Sequence, residues 1–175
     1  MGILSVKNSL SLLVIIGIVT LQSCATQKPI RKSNKSITAV KKTQRTPKAD
    51  SSRDRIIDVA NKYIGTKYVY GGKDGRGFDC SGFVTRVFFE NKIDIRGSSS
   101  SLSKQGKGKT IQDARMGDLV FFKKGERVNH VALISEISKN ELWVIHSTSS
   151  RGVIKENIMA SPYWSTKKYF IKDLL

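Results

Sequence analysis

The apolar residues of this chain change period partway along, and that change limits the folds open to it. Ile56, Ile57, Ala60 and Ile64 recur at helical spacing, with Ser52 placed to cap the start and Gly65 to stop the run. Phe83, Val84, Val87 and Phe88 form a second helical stripe. From Asp118 onward the runs shorten to strand length: Asp118–Phe122 (DLVFF), Val131–Ile137 (VALISEI) and Leu142–His146 (LWVIH), with shorter candidates at Val153-Ile154 and Tyr169–Ile171. Helices first and strands afterwards imply an α+β fold, with N-terminal helices packed on a central antiparallel sheet. Tyr68–Tyr70 reads as a short extended piece turned by Gly71-Gly72, and the Ser-, Gly- and Lys-rich stretch 97–110 reads as a loop.

The N-terminal part obeys different rules. Leu10–Leu21 is an apolar run of twelve residues behind a single lysine, Lys7. A bilayer-spanning helix needs about 20 such residues, so the run has the anatomy of a secretory signal peptide. It ends in Leu21-Gln22-Ser23-Cys24, which resembles the bacterial lipoprotein box. The resemblance implies a signal peptide over 1–23 and acyl chains on Cys24, which then anchor the protein to a membrane. Ala25 after the cysteine points to the periplasmic face of the outer membrane. An ordinary secretory signal with an incidental cysteine is the alternative. Residues 25–50 carry eight basic side chains against Asp50 alone, with no aromatic residue and no periodicity. Such a segment cannot bury enough surface to order itself, so 24–50 is expected to be a basic, disordered tether and 51–175 the folded domain.

The charge of +17 is not confined to the tether, because 51–175 holds 22 basic and 13 acidic residues. A basic body invites an anionic partner: nucleic acid, acidic headgroups or a carboxylate-rich polymer. Nucleic acid is disfavoured by the export signal and by the lack of any recognised module or aromatic–basic stacking platform. The two cysteines are Cys24 and Cys80. With Cys24 consumed by lipidation, Cys80 stands alone, either reactive or buried and inert. One cysteine and two histidines give no zinc spacing, so neither metal nor cofactor is expected.

Cys80 opens the Phe83–Phe88 helix, where unpaired N–H groups favour a thiolate. The two histidines, His130 and His146, sit on strands joined by a short turn at Ser138-Lys139-Asn140. Register decides whether they meet. A three-residue turn pairs Ile137 with Glu141, sets His146 opposite Ala132 and puts both rings on one face; a two-residue turn separates them. In the first case His130 can take the Cys80 proton while His146 holds the His130 ring, the nucleophile–base–orienter logic of thiol catalysis. Packing remains the alternative for each residue taken alone.

Five blocks in order resemble the NlpC family of bacterial cell-wall cysteine peptidases: Ile64–Gly72 (IGTKYVYGG), Phe78–Val84 (FDCSGFV), Gly117–Phe122 (GDLVFF), Asn129–Leu133 (NHVAL) and His146–Val153 (HSTSSRGV). The resemblance implies a papain-like domain, a monomer acting on peptidoglycan stem peptides without a cofactor. It assigns Cys80 as nucleophile, His130 as base and His146 as the third, polar member. Tyr68 would help to bind the oxyanion, and Asp79 and Ser81 would contact the free N-terminus of a stem peptide. An acyltransferase or amidase on the same fold, or a non-catalytic wall-binding lipoprotein, are the rival readings.

Overall fold

The computed structural model describes residues 47–175. The expected signal peptide, the lipidated Cys24 and most of the tether lie outside those residues. Helix α1 runs Pro47–Lys62 and so begins within the stretch read as tether, ahead of Ser51. Proline suits the first turn of a helix, where its missing N–H is not needed. Ile56 and Ala60 are fully buried, whereas Ile64 falls beyond the helix end and is exposed. Arg53 carries α1 across to the sheet. Its Nη1 donates to Asp118 at 2.7 Å and to the Met116 carbonyl at 2.8 Å, and its Nη2 donates to Asp173 at 3.0 Å. Asp118 is fully buried, where an unpaired carboxylate would be costly, so the guanidinium is needed there.

A small hairpin, β1 (Lys73–Asp74) and β2 (Gly77–Phe78), leads into α2 (Cys80–Glu90), whose Phe83, Val84, Val87 and Phe88 are buried as their spacing predicts. The stretch 97–110 is more than a loop. It contains one turn of helix, α3 (Ser99–Leu102), and an edge strand, β3 (Lys107–Lys109). The sequence KGK has no apolar residue to show a period. Its strand character comes entirely from pairing with β8 (Tyr169–Asp173).

Strands β4 (Leu119–Lys124), β5 (Arg127–Ile137), β6 (Leu142–Thr148) and β7 (Gly152–Asn157) complete an antiparallel sheet in the order β3-β8-β4-β5-β6-β7. Alternate residues serve two cores. Phe121, Val131, Leu133 and Ile145 meet the helices, while Phe122, Ala132, Ile134 and Val144 face Ile158 and Trp164 from the β7–β8 connection. Apolar residues on both faces explain why β4 and the middle of β5 read as continuous hydrophobic runs rather than alternating ones.

The β5–β6 register departs from expectation at its tip and agrees where the histidines sit. Ile137 pairs with Leu142, not with Glu141, leaving residues 138–141 in the turn. That frame would put the rings on opposite faces. A shift between Ile134 and Glu136 then resets the pairing to Ile134↔Val144 and Leu133↔Ile145. Continued one step, this sets His146 across from Ala132. The extra residue is Ser135, and a bulge of this kind slips a register by one without breaking the ladder.

Candidate active site

The loop before α2 is fastened at several points. Asp79 is the N-cap of the helix: its Oδ1 accepts from the Gly82 N–H at 2.6 Å and the Ser81 hydroxyl at 3.0 Å, and its Oδ2 accepts from the Gly71 N–H at 3.1 Å. A Cβ at Gly82 would run into the Gly72 carbonyl, so only glycine lets the first helical turn sit on that backbone. The Ser147 hydroxyl of β6 donates to the Phe78 carbonyl at 2.7 Å, joining the histidine strand to the segment that delivers Cys80. Tyr68 is held next to Phe78 by an isolated parallel bridge, and Gly65 and Thr66 hydrogen-bond to Val153 at 2.9 and 2.8 Å.

Cys80 is a half-buried free thiol. Burial pushes it above the usual thiol range. The Val131 N–H pulls it down, and the Asp79 carboxylate pushes it up again. Burial first, and the capping carboxylate second, thus oppose the pull of the helix N-terminus on the thiol. Tyr68 is also raised, first by burial and then by Cys80 and Asp79, which keeps its hydroxyl protonated and able to donate.

His130 Nε2 and His146 Nδ1 are 3.0 Å apart, and His146 Nε2 lies 2.8 Å from Glu156 Oε1. Protons can be assigned along this chain. An ionised carboxylate only accepts, so His146 carries its proton on Nε2 and offers a lone pair at Nδ1. His130 then donates from Nε2, which leaves its Nδ1 unprotonated, as a base requires. Glu156 is held at about 2, first by the hydrogen bond from His146 and further by Arg151, whose Nη2 is 2.7 Å away. Trp164 Nε1 also donates to Glu156, at 2.9 Å, and its ring stacks on His130 at 4.7 Å. Burial, then the neighbouring His146, lowers His130 to about 3, and burial lowers His146 as well, so both rings rest neutral.

Cys80, Tyr68 and His130 line one cleft of about 920 Å³, together with Ser147 and Trp164. His146 is fully buried behind His130. Asp79 and Ser81 are not among the residues lining this cleft, and they bond to each other and to the helix start. Sequence reasoning missed Glu156, Arg151 and Trp164. The β6–β7 register pairs His146 with Ile154, which puts Glu156 two residues on and on the same face. The alternation of side chains along β7 is the signal that points to it. Among the described residues, no three of His, Cys, Asp and Glu are placed to hold a metal ion.

Comparison with known proteins agrees with this fold. The NlpC/P60 family pattern matches residues 65–172. A probable endopeptidase of Haemophilus influenzae is 37% identical over 114 residues, covering 63% of this chain and 67% of that protein. The murein DD-endopeptidase MepS/murein LD-carboxypeptidase of Escherichia coli K12 is 36% identical over 118 residues, covering 67% of this chain and 60% of that protein, so the chain spans under two thirds of that relative. Among solved structures, the NlpC/p60 domain of peptidoglycan hydrolase SagA matches with a TM-score of 0.57 at 30% identity, covering 69% of this chain and 98% of that one. With a family pattern that runs from the Tyr68 segment to the last strand, the chain belongs to the NlpC/P60 family.

Proposed function

We propose that the domain hydrolyses amide bonds in peptidoglycan stem peptides through a thioester on Cys80. The observation that carries this reading is the hydrogen-bonded series His130–His146–Glu156, which leaves Nδ1 unprotonated on a ring that lines the same cleft as Cys80. His130 takes the Cys80 proton as the sulfur attacks the carbonyl carbon. Tyr68 and the Cys80 N–H donate to the oxyanion. The His130 imidazolium protonates the departing nitrogen and the C–N bond breaks. A water deprotonated by His130 then attacks the thioester, and the C–S bond breaks to free the acid and the thiol.

The names of the relatives, a probable endopeptidase and a murein DD-endopeptidase/LD-carboxypeptidase, support a stem-peptide substrate. The bond is the γ-linkage from D-glutamate to the diamino acid, or the cross-link between the diamino acid and D-Ala. Digestion of defined muropeptides with mass analysis of the products tests the reaction and tells the two bonds apart. Wild type is expected to release new amino termini and Cys80→Ala none; unchanged digestion by Cys80→Ala would end the thiol mechanism. Transfer of the acyl group to an amine instead of water would reveal an acyltransferase in the same assay. The same proposal includes export and a lipid on Cys24, supported by the Leu21–Cys24 motif. Cells fed an alkyne-tagged fatty acid should label wild type, and labelling that persists in Cys24→Ala would remove this part.

A further inference from the structure

Thiol catalysis gives the cleft a direction. The departing amine receives its proton from His130, so the leaving-group half of the substrate must pass over that ring, away from Cys80. The sheet order then sorts the walls. On the β6 side of β5, the cleft is lined by Ser147, Thr148, Ser149 and Ser150, which carry hydroxyls and no charge. On the β4 side the lining is cationic. Phe122 pairs with His130, and the next residues of β4 are Lys123 and Lys124. The Lys123 N–H donates to the Lys168 carbonyl at 2.9 Å, which brings the Lys167-Lys168 segment alongside.

All four lysines line the cleft, and no aspartate or glutamate does. Few local partners offset them. Lys123 is 3.5 Å from Glu126, and Lys167 lies 4.3 Å over the Tyr163 ring. Among the described residues, Lys124 and Lys168 have no ion-pair partner. Arg151, the fifth cation of the lining, is occupied by Glu156. Like charges gathered on one wall repel each other unless an anion sits among them. Their concentration on the β4 side sets that wall apart from the hydroxyl-bearing one on the β6 side.

We propose that this lysine wall binds a free carboxylate on the leaving-group side of the scissile amide, so that the domain selects substrates whose released amine is an acidic amino acid or peptide. The inference rests on the peptidase reading, and it assigns the departing amine to the β4 side of His130. For either bond the released amine belongs to the diamino acid, which carries such a carboxylate, whereas an amidated one does not.

The test uses two synthetic stem peptides that differ only in the leaving residue, which ends in a free carboxylate or a carboxamide. Their affinities are measured on the full chain carrying Cys80→Ala, so that no turnover is needed. The carboxylate peptide is expected to bind roughly five- to tenfold more tightly, with the preference shrinking as salt is raised. Adding Lys124→Glu and Lys168→Glu should abolish the preference, and a Lys124→Met/Lys168→Met pair gives the same reading if the glutamates unfold the protein. Lys139→Glu, in the turn at the opposite end of β5, should leave it intact. Equal affinities for the two peptides would overturn the inference, as would an equal loss in Lys139→Glu. Turnover by the enzyme with Cys80 intact separates this from the reading beneath it. Preferential binding without hydrolysis sinks the peptidase reading alone, and hydrolysis of both peptides at equal KM sinks the lysine wall alone.

Discussion

Glu156 is bonded to neither Cys80 nor His130, yet it decides which nitrogen of each histidine holds a proton. Without its carboxylate, His146 can adopt the other tautomer, and His130 Nδ1 is no longer reserved as the acceptor. Glu156→Ala is therefore expected to lower kcat about 100-fold, within the range for an acid–base contribution, with little change in KM. Glu156→Gln, which keeps an acceptor oxygen, should recover part of the loss. Alkylation of Cys80 by iodoacetamide separates positioning from a merely structural role. Because burial raises the thiol, the thiolate fraction and the wild-type rate should climb with pH through and above neutrality, with no acid plateau. Glu156→Ala should slow alkylation and move the midpoint upward. A residue that only stabilised the fold would lower Tm and leave that midpoint in place.

At the scale of the element, the start of α2 does two jobs with one side chain. Asp79 satisfies N–H groups on both sides of the turn, and its charge opposes ionisation of the neighbouring thiol. Asparagine caps helices about as well as aspartate but carries no charge. Asp79→Ala should thus cost about 1–2 kcal/mol and lower Tm by roughly 5 °C. Asp79→Asn should leave Tm nearly unchanged and speed Cys80 alkylation at neutral pH roughly two- to fivefold. Equal melting of the two variants would remove the capping argument. Equal alkylation by Asp79→Asn and wild type would remove the electrostatic one. The helix itself is readable from the spacing of Phe83, Val84, Val87 and Phe88. The strand β3 is not, because Lys107-Gly108-Lys109 becomes a strand only when β8 arrives to pair with it.

The whole molecule responds to acid through its buried site. His130 sits at about 3 in the folded protein against an ordinary 6.5, so the unfolded chain takes up that proton first as the pH falls. Stability from this group is complete above about pH 6.5 and drains away between there and about 3, on the order of 5 kcal/mol in all. His146 acts in the same direction. Glu156, depressed from 4.5 to about 2, withdraws its share between those values. Tm should fall steadily from pH 6.5 downward, and His130→Ala should flatten the upper part of that fall while lowering Tm at neutral pH. A Tm that stays level to pH 4 in wild type would show that the rings are not buried as neutral groups.

The sequence by itself determined the order of helices and strands, the helical seat of Cys80 and the identity of the cysteine and histidine that line the cleft. Those features follow from local spacing and from the scarcity of cysteine and histidine, which leaves few candidates. Tertiary structure decided what spacing does not encode. The two imidazoles share a face only because a bulge at Ser135 corrects the frame set by the turn. The carboxylate that fixes their protons comes from the next strand, ten residues beyond His146. The charge state of the thiol is set by burial and by its capping neighbour rather than by the helix end alone. Each of these is a contact between segments distant in the chain or a consequence of exclusion from water. Neither quantity exists until the sheet has closed over its two cores.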